Sequence, residues 1–155
     1  MIILDTNVIS ELIRPKPDRR VEDWSKAQPQ SALFTTVICQ AEVLYGVEFR
    51  PESRRRQQLR EAAQLLFSRV MAGRVLAFDI AAAEEFYRIA AHRRKMGRPI
   101  SHPDAQIAAI ARREDATLAT RNVRDFESCG IRLINPWTGS SGSRRRNATW
   151  DKLSP

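Results

Sequence analysis

Short apolar runs alternate along this chain with longer segments of helical periodicity, and this alternation limits the fold more than any other feature. The runs lie at residues 1–4, 32–36, 75–78, 117–119 and 131–134. They are short and mostly apolar, as strands buried on both faces are. Strands that alternate with helices favour a parallel sheet covered by helices on both faces. We therefore predict a three-layer α/β fold around a parallel sheet of about five strands.

The segments between these runs carry the signals of helices. We predict helices over residues 6–14, 18–27, 37–49, 52–71, 79–95 and 101–113. Thr6 and Asn7 are suited to cap the first helix, and Pro15 ends it. In the helix over 37–49 we expect a buried face formed by Ile38, Ala41, Leu44 and Tyr45.

The composition indicates one folded domain followed by a tail. From Thr138 the sequence becomes rich in glycine, serine and arginine, so we predict a domain over residues 1–137 and a disordered basic tail over 138–155. No apolar run approaches the ~20 residues of a membrane span, and no signal peptide is evident. Two cysteines without CxxC spacing fit a reducing compartment, so we expect a cytoplasmic protein.

The formal net charge of +8 at pH 7 comes largely from arginine clusters, such as those at 54–56 and 144–146. Basic clusters attract nucleic-acid backbones because binding releases condensed counterions. A single cluster is more simply a solvated helix face, and a basic protein also suits an acidic protein partner. The overall excess of basic over acidic residues nevertheless favours a polyanionic substrate.

Carboxylates stand at the ends of the predicted elements. Asp5 follows the first run, Glu42 lies within a helix, Asp104 begins another helix, and Asn122 and Asp125 follow the fourth run. The carboxyl ends of parallel strands share one edge, where ligands bind in open α/β sheets, so we expect these side chains to converge. A divalent cation offsets the cost of burying several carboxylates, and oxygen ligands favour Mg²⁺ or Mn²⁺. Together with the basic charge, this pattern predicts a metal-dependent nuclease.

Each acid also has a purely structural explanation. Asp5 suits a helix cap, and Glu42 suits an exposed position on a helix. Ser101 and Asp104 match a capping box, although Asp104 also shares the spacing of the buried side of its helix. Asp125 lies where turn residues are favoured. The joint pattern, rather than any single position, points to a metal site.

At these positions the chain resembles the PIN domain, and within it the VapC toxins of type II toxin–antitoxin systems, including the FitB-like members. The matching segments are ILDTNVISE (3–11), AEVLYGV (41–47), GRPIS (97–101) before DAQIAA (104–109), LATRNVRDF (118–126) and INPW (134–137). Each is short, but their order and spacing over about residues 1 to 137 are specific.

The resemblance implies a PIN-like α/β/α fold and a Mg²⁺-dependent endoribonuclease that acts as a toxin. It also implies a homodimer, an RNA substrate and a cognate VapB-like antitoxin that blocks the active site. It assigns metal binding to Asp5, Glu42 and Asp104, with Asp125 completing the catalytic set. Further residues are expected to support the acids (Thr6, Asn7, Thr120 and Asn122) or to contact the RNA backbone (Arg121 and Arg124).

The chain also departs from the family pattern. Some relatives carry aspartate at the position of Asn122, so either Asn122 or Asp125 fills the fourth site. His102 and Pro103 replace the small residues usual before the third acid. The alternative function is a catalytically degenerate PIN-like module that binds nucleic acid or a protein partner. A phosphatase of the haloacid dehalogenase type would need an aspartate where this chain has Asn7.

The first two predicted helices carry more apolar residues than short surface helices normally need. We therefore expect an exposed apolar surface to receive the antitoxin in a helix-in-groove manner. Its residues are Ile9, Leu12, Ile13 and Trp24.

Overall fold

The protein is described by a computed structural model that covers residues 1–138. Its strands are β1 (Ile2–Leu4), β2 (Leu33–Thr36), β3 (Val75–Leu76), β4 (Thr117–Ala119) and β5 (Arg132–Ile134). They form one five-stranded sheet in the order β3-β2-β1-β4-β5, and all neighbouring strands are parallel. The predicted α/β sheet is confirmed. The predicted tail over 138–155 lies, apart from Thr138, outside the described residues.

The helices are α1 (Thr6–Leu12), α2 (Arg19–Ala27), α3 (Val37–Glu48), α4 (Arg54–Leu65), α5 (Ile80–Lys95), α6 (His102–Arg113) and α7 (Val123–Phe126). A wider π turn at Leu66–Val70 prolongs α4. All of these helices except α7 match predicted ones. α7 is too short to show a periodic apolar pattern, which is why the sequence did not predict it. No helix within residues 1–138 has the length and apolar content to cross a membrane.

The core is built around β1 and β4 at the centre of the sheet and around α6. Ile3 and Leu118 are fully buried, as expected for strands covered on both faces. From Ala105 to Ala111, all residues of α6 except Gln106 are fully buried. Its alanines let α5 and the sheet approach closely. This packing fixes the position of the first turn of α6, which carries Asp104.

The predicted apolar docking surface on the first two helices is wrong. Ile9, Leu12 and Ile13 are buried in the core, and Trp24 packs against it. The short helix α1 contacts α2 and α3 as well as following the central strand, so its apolar residues are covered on several sides. These residues are the inner surface of the domain and are not available to a partner.

The predicted buried face of α3 is right for Ile38 and Leu44, which pack against the core, and wrong for its other two residues. Cys39, Val43 and Val47 face the core, whereas Ala41 and Tyr45 are exposed. Apolar residues occur nearly all around this helix, so periodicity alone does not identify its inner face. The rotation leaves Tyr45 at the surface and turns Glu42 toward the first turn of α1.

Candidate active site

The candidate site lies at the carboxyl edge of the sheet, beside the point where the strand order changes direction. β1 ends at Leu4 and β4 ends at Ala119, and the Asp5 N–H donates to the Ala119 carbonyl at 3.0 Å. Asp5 and Thr120 are the first residues after these two neighbouring strands, and they therefore lie side by side. This is the position at which open α/β sheets bind ligands.

Asp5 is held by several hydrogen-bond donors. Its Oδ1 accepts from the Thr6 N–H at 2.8 Å, and its Oδ2 accepts from Asn7 Nδ2 and from Thr120 Oγ1, each at 2.6 Å. Asp5 itself is the N-cap of α1, which corrects the assignment of that role to Thr6 and Asn7. The cap and the candidate site use the same carboxylate, since Asp5 stands where a strand ends and a helix begins.

The carboxylate of Asp5 is only 4% exposed, and its charged form is disfavoured. Burial raises the pKa of Asp5 to about 6, against the opposing effect of hydrogen bonds from Thr120 and Thr6. The charges of Asp104 and Glu42 raise this pKa further. The structure thus brings three predicted metal ligands into one electrostatic cluster, although they come from distant parts of the chain.

Glu42 and Asp104 are each engaged by a neighbouring hydroxyl. Thr6 Oγ1 donates to Glu42 Oε2 at 2.5 Å, and Ser101 Oγ donates to Asp104 Oδ2 at 2.5 Å. Thr6 therefore links two acids, because its N–H binds Asp5 and its hydroxyl binds Glu42. Ser101 also caps α6 by accepting the Asp104 N–H at 3.2 Å.

The chemistry of these side chains fits a hard divalent cation, since they offer only oxygen donors and accumulate negative charge. Their present spacing does not form a finished site. Across residues 1–138, no three histidine, cysteine, aspartate or glutamate side chains are close enough together to hold a metal ion.

The two candidates for the fourth acidic position differ from Asp5 in their exposure to solvent. Asn122 and Asp125 are both exposed, and Asp125 lies in α7, where its N–H donates to the Asn122 carbonyl at 3.0 Å. The Asn122 N–H donates to Thr120 Oγ1 at 3.0 Å, so this loop is attached to the same hydroxyl that contacts Asp5. Asp104 and Glu42 are the carboxylates whose charges raise the pKa of Asp5, and Asp125 is not one of them.

The predicted RNA contacts lie on the surface next to this network. The backbone N–H of Arg121 donates to Asn7 Oδ1 at 3.1 Å, and its guanidinium lies 5.3 Å from the centre of the Trp137 ring. Arg121 and Arg124 are exposed on either side of Asn122. Exposed arginine side chains are the type of group that contacts nucleic-acid phosphates.

The sequence did not reveal the supporting role of two residues near the site. Ser101 was assigned only a capping role, yet its hydroxyl also holds the Asp104 carboxylate. Arg93 is buried and donates to the carbonyls of Arg98 and Glu127, tying the loop before α6 to the loop after α7. An arginine within a basic helical run gave no sign of this role.

Comparison with known proteins gives consistent relatives. The PIN domain family model matches residues 2–130. The VapC ribonuclease Y4jK of Sinorhizobium fredii is 38% identical over 137 residues, which are 88% of this chain and 98% of that protein. The toxin FitB of Neisseria gonorrhoeae is 34% identical over 137 residues, 88% of this chain and 99% of FitB. The crystal structure of FitAcB from Neisseria gonorrhoeae gives a TM-score of 0.80 at 33% identity, covering 89% of this chain and 99% of that one.

Proposed function

The chain belongs to the PIN-domain family and, within it, to the VapC and FitB-like toxins, and from this premise we propose that it is a metal-dependent endoribonuclease of a type II toxin–antitoxin system. The observation that carries the proposal is the buried carboxylate of Asp5, which lies within electrostatic reach of Glu42 and Asp104. Family membership supports the reaction that we propose, the hydrolysis of RNA phosphodiester bonds in the cytoplasm. The acid cluster supplies a place for it.

In this proposal, Asp5, Glu42 and Asp104 hold Mg²⁺ or Mn²⁺. When bound, such an ion activates water for attack and stabilises the negative charge that develops on the phosphate. Asn7 and Thr120 keep the Asp5 carboxylate in one orientation. The side chains therefore bind and orient, and none of them is needed as a nucleophile.

The direct test is cleavage of RNA by the purified protein. We expect cleavage with Mg²⁺ or Mn²⁺, none in excess EDTA, and recovery when the ion is restored. Sequencing of the cleaved ends after induction in cells identifies the substrate. If metal-supplied protein binds RNA without cutting it, the degenerate binding module is the correct function instead.

Family membership also leads us to propose a cognate VapB-like antitoxin that blocks the acid cluster. Co-expression with the small gene next to the toxin gene should relieve growth arrest and yield a stable complex. An adjacent small protein that neither binds the toxin nor restores growth would contradict this partner.

We further propose that the protein is a homodimer and that two exposed aromatic side chains at the C-terminal end of α3 contribute to the contact. Tyr45 and Phe49 are 68% and 79% exposed and stack with their ring centres 5.8 Å apart. A double Tyr45→Glu, Phe49→Glu variant should elute as a monomer in size-exclusion chromatography with light scattering. Exchange of the exposed Ala83 on α5 for glutamate serves as the charge control. A double variant that still elutes as a dimer would remove these rings from the interface.

A separate prediction concerns the fourth acidic position. We expect Asp125→Ala to reduce turnover several-fold while leaving the affinity for the first metal ion unchanged, because three carboxylates already offset one divalent cation. Asn122→Ala should have the smaller effect, since its side chain makes no capping bond to α7. Titrations of cleavage with Mg²⁺ compare the two variants. If Asn122→Ala loses activity and Asp125→Ala titrates like the wild type, the roles are reversed.

A further inference from the structure

A tryptophan just after the last strand lies against one of the two arginines that were predicted to contact RNA. β5 ends at Ile134, whose carbonyl accepts the Thr120 N–H at 2.9 Å, so the chain leaves β5 at the edge of the sheet that also carries Asp5. Three residues later, the Trp137 ring lies under the guanidinium of Arg121, with the guanidinium carbon 5.3 Å from the ring centre. This contact joins the segment after β4 to the segment after β5.

Trp137 is itself held in place by its surroundings. It is only 9% exposed. Its N–H donates to Asn135 Oδ1 at 2.9 Å, and the Thr138 N–H donates to the Asn135 carbonyl at 3.1 Å, so hydrogen bonds close a turn around it. A nearly buried ring in a hydrogen-bonded turn has little freedom to move, and it offers the cation a fixed surface.

The backbone of Arg121 is fixed as well. Its N–H donates to Asn7 Oδ1 at 3.1 Å, and Asn7 Nδ2 donates to Asp5 Oδ2 at 2.6 Å. One side-chain amide therefore connects the backbone of this arginine to the buried carboxylate of the candidate site. Arg121 is held at both ends, at its backbone by Asn7 and at its guanidinium by Trp137.

The guanidinium of Arg121 keeps its charge available to a ligand. In the part of the chain that the structure describes, its side chain forms no ion pair and no hydrogen bond. The other arginine that lies over an aromatic ring there, Arg88 over Tyr87, is also paired with Glu84 and Glu85. A cation–π contact uses no hydrogen-bond acceptor, so N–H donors of Arg121 remain free for a phosphate.

We propose that Trp137 is a positioning residue that holds the Arg121 guanidinium in the orientation in which it receives a phosphate of the bound RNA. The inference rests on the proposed ribonuclease function and distinguishes Arg121 from Arg124. The Arg124 side chain makes no contact of these kinds with the described residues, so binding a phosphate has to restrict its rotamers first. Arg121 is already restricted by the ring, so less conformational entropy is lost when RNA binds.

Trp137→Leu tests the ring without changing any charge. Its affinity for labelled RNA, measured by fluorescence anisotropy in EDTA, should fall about 2-fold to 5-fold, the size of one exposed cation–π contact. The slope of log affinity against log salt should stay at the wild-type value. Arg121→Gln should lower the affinity and also reduce that slope by about 1, because it removes a phosphate contact. Trp24→Leu, at a ring with no cation over it in the described chain, is the matched control and should bind RNA like the wild type.

A double-mutant cycle separates positioning from a general loss of stability. In the Arg121→Gln background, Trp137→Leu should cause no further loss of RNA affinity, because the group that the ring holds is already gone. A weakened fold would instead lower the affinity equally in both backgrounds. Trp137→Phe keeps an aromatic face and should retain most of the wild-type affinity. Thermal unfolding of each variant records how much stability it has lost.

Fluorine NMR of protein labelled with fluorotryptophan follows the native ring directly. We expect RNA added in EDTA to shift the resonance of Trp137 and not that of Trp24. In Arg121→Gln the RNA-induced shift of Trp137 should disappear. This measurement requires no substitution of Trp137, so it decides the proposal even if Trp137→Leu does not fold.

The outcomes separate the role of Trp137 from the proposed function. If the wild-type protein binds RNA and cuts none, the ribonuclease proposal fails, and the cycle still supports or overturns the positioning role. If it binds no RNA, both proposals fail. An equal loss from Trp137→Leu with and without the Arg121 guanidinium would overturn positioning, since the ring would then act only through the fold. Unchanged RNA affinity of Trp137→Leu together with weaker antitoxin binding would also overturn it and assign the contact to the protein partner.

Discussion

Asp5→Asn is expected to lower RNA cleavage by at least ~10²-fold, because a preorganised electrostatic contact to the reacting phosphate is commonly worth that much. The substitution removes the only one of the three clustered acids that is fully buried, at 4% exposure. It keeps the size of the side chain and the acceptor for the Thr6 N–H. The loss should therefore arise from the missing charge and not from an unfolded domain.

The same substitution has an expected signature in the pH dependence of stability. Folding raises the pKa of Asp5 from 3.8 to about 6, so between these values the folded state binds the proton and the unfolded state does not. The free energy of unfolding of the metal-free protein should accordingly fall as pH rises from 4 to 7, with a contribution from this group of about 2 kcal/mol. Asp5→Asn removes that contribution.

Urea unfolding at pH 4 and pH 7.5, in EDTA, measures this difference. The side-chain amide introduced by Asp5→Asn would place an NH₂ group against Asn7 Nδ2, which costs ~1–3 kcal/mol at both pH values and cancels in the comparison. A variant that is folded, supplied with metal and still cleaves RNA at the wild-type rate would refute the role of Asp5. An unchanged pH slope in the variant would refute the buried charge.

Asp104→Asn is expected to cause a second loss of cleavage of at least ~10²-fold. This carboxylate lies at the start of α6 and raises the pKa of Asp5 by its charge. Asparagine preserves the backbone N–H that donates to Ser101 Oγ, so the helix keeps its cap. The variant should fold normally and bind Mg²⁺ more weakly, because one ligand charge is gone.

Ser101→Ala is the matched control for this variant. It removes the cap of α6 and the hydroxyl that holds Asp104, which should cost ~1 kcal/mol of stability while leaving the carboxylate in place. We expect Ser101→Ala to retain cleavage within several-fold of the wild type. Steady-state cleavage, thermal unfolding and metal titration of both variants make the comparison. If Ser101→Ala is as inactive as Asp104→Asn, the capping geometry rather than the charge of Asp104 carries the effect.

Local patterns in the sequence determined most of the fold. The strand ends, the helix cap at Ser101 and the helix breaks at proline could be predicted from short segments, because turn and cap chemistry depends on neighbours along the chain. Alternation of strands and helices then leaves few topologies, since parallel connections are short and right-handed. The same logic predicted that Asp5, Glu42 and Asp104 would share one sheet edge, and these three form one electrostatic cluster.

Only the tertiary structure decided which faces are buried and what each acid contacts. The apolar residues of α1 and α3 do not specify a single inner face, so Ile9 was expected at the surface and Tyr45 in the core, and both are reversed. The pairings of Thr6 with Glu42 and of Thr120 with Asp5 join positions 36 and 115 residues apart. Such contacts depend on how the helices rotate when they pack on the sheet. The close packing of the whole core sets that rotation, and no single segment of the sequence determines it.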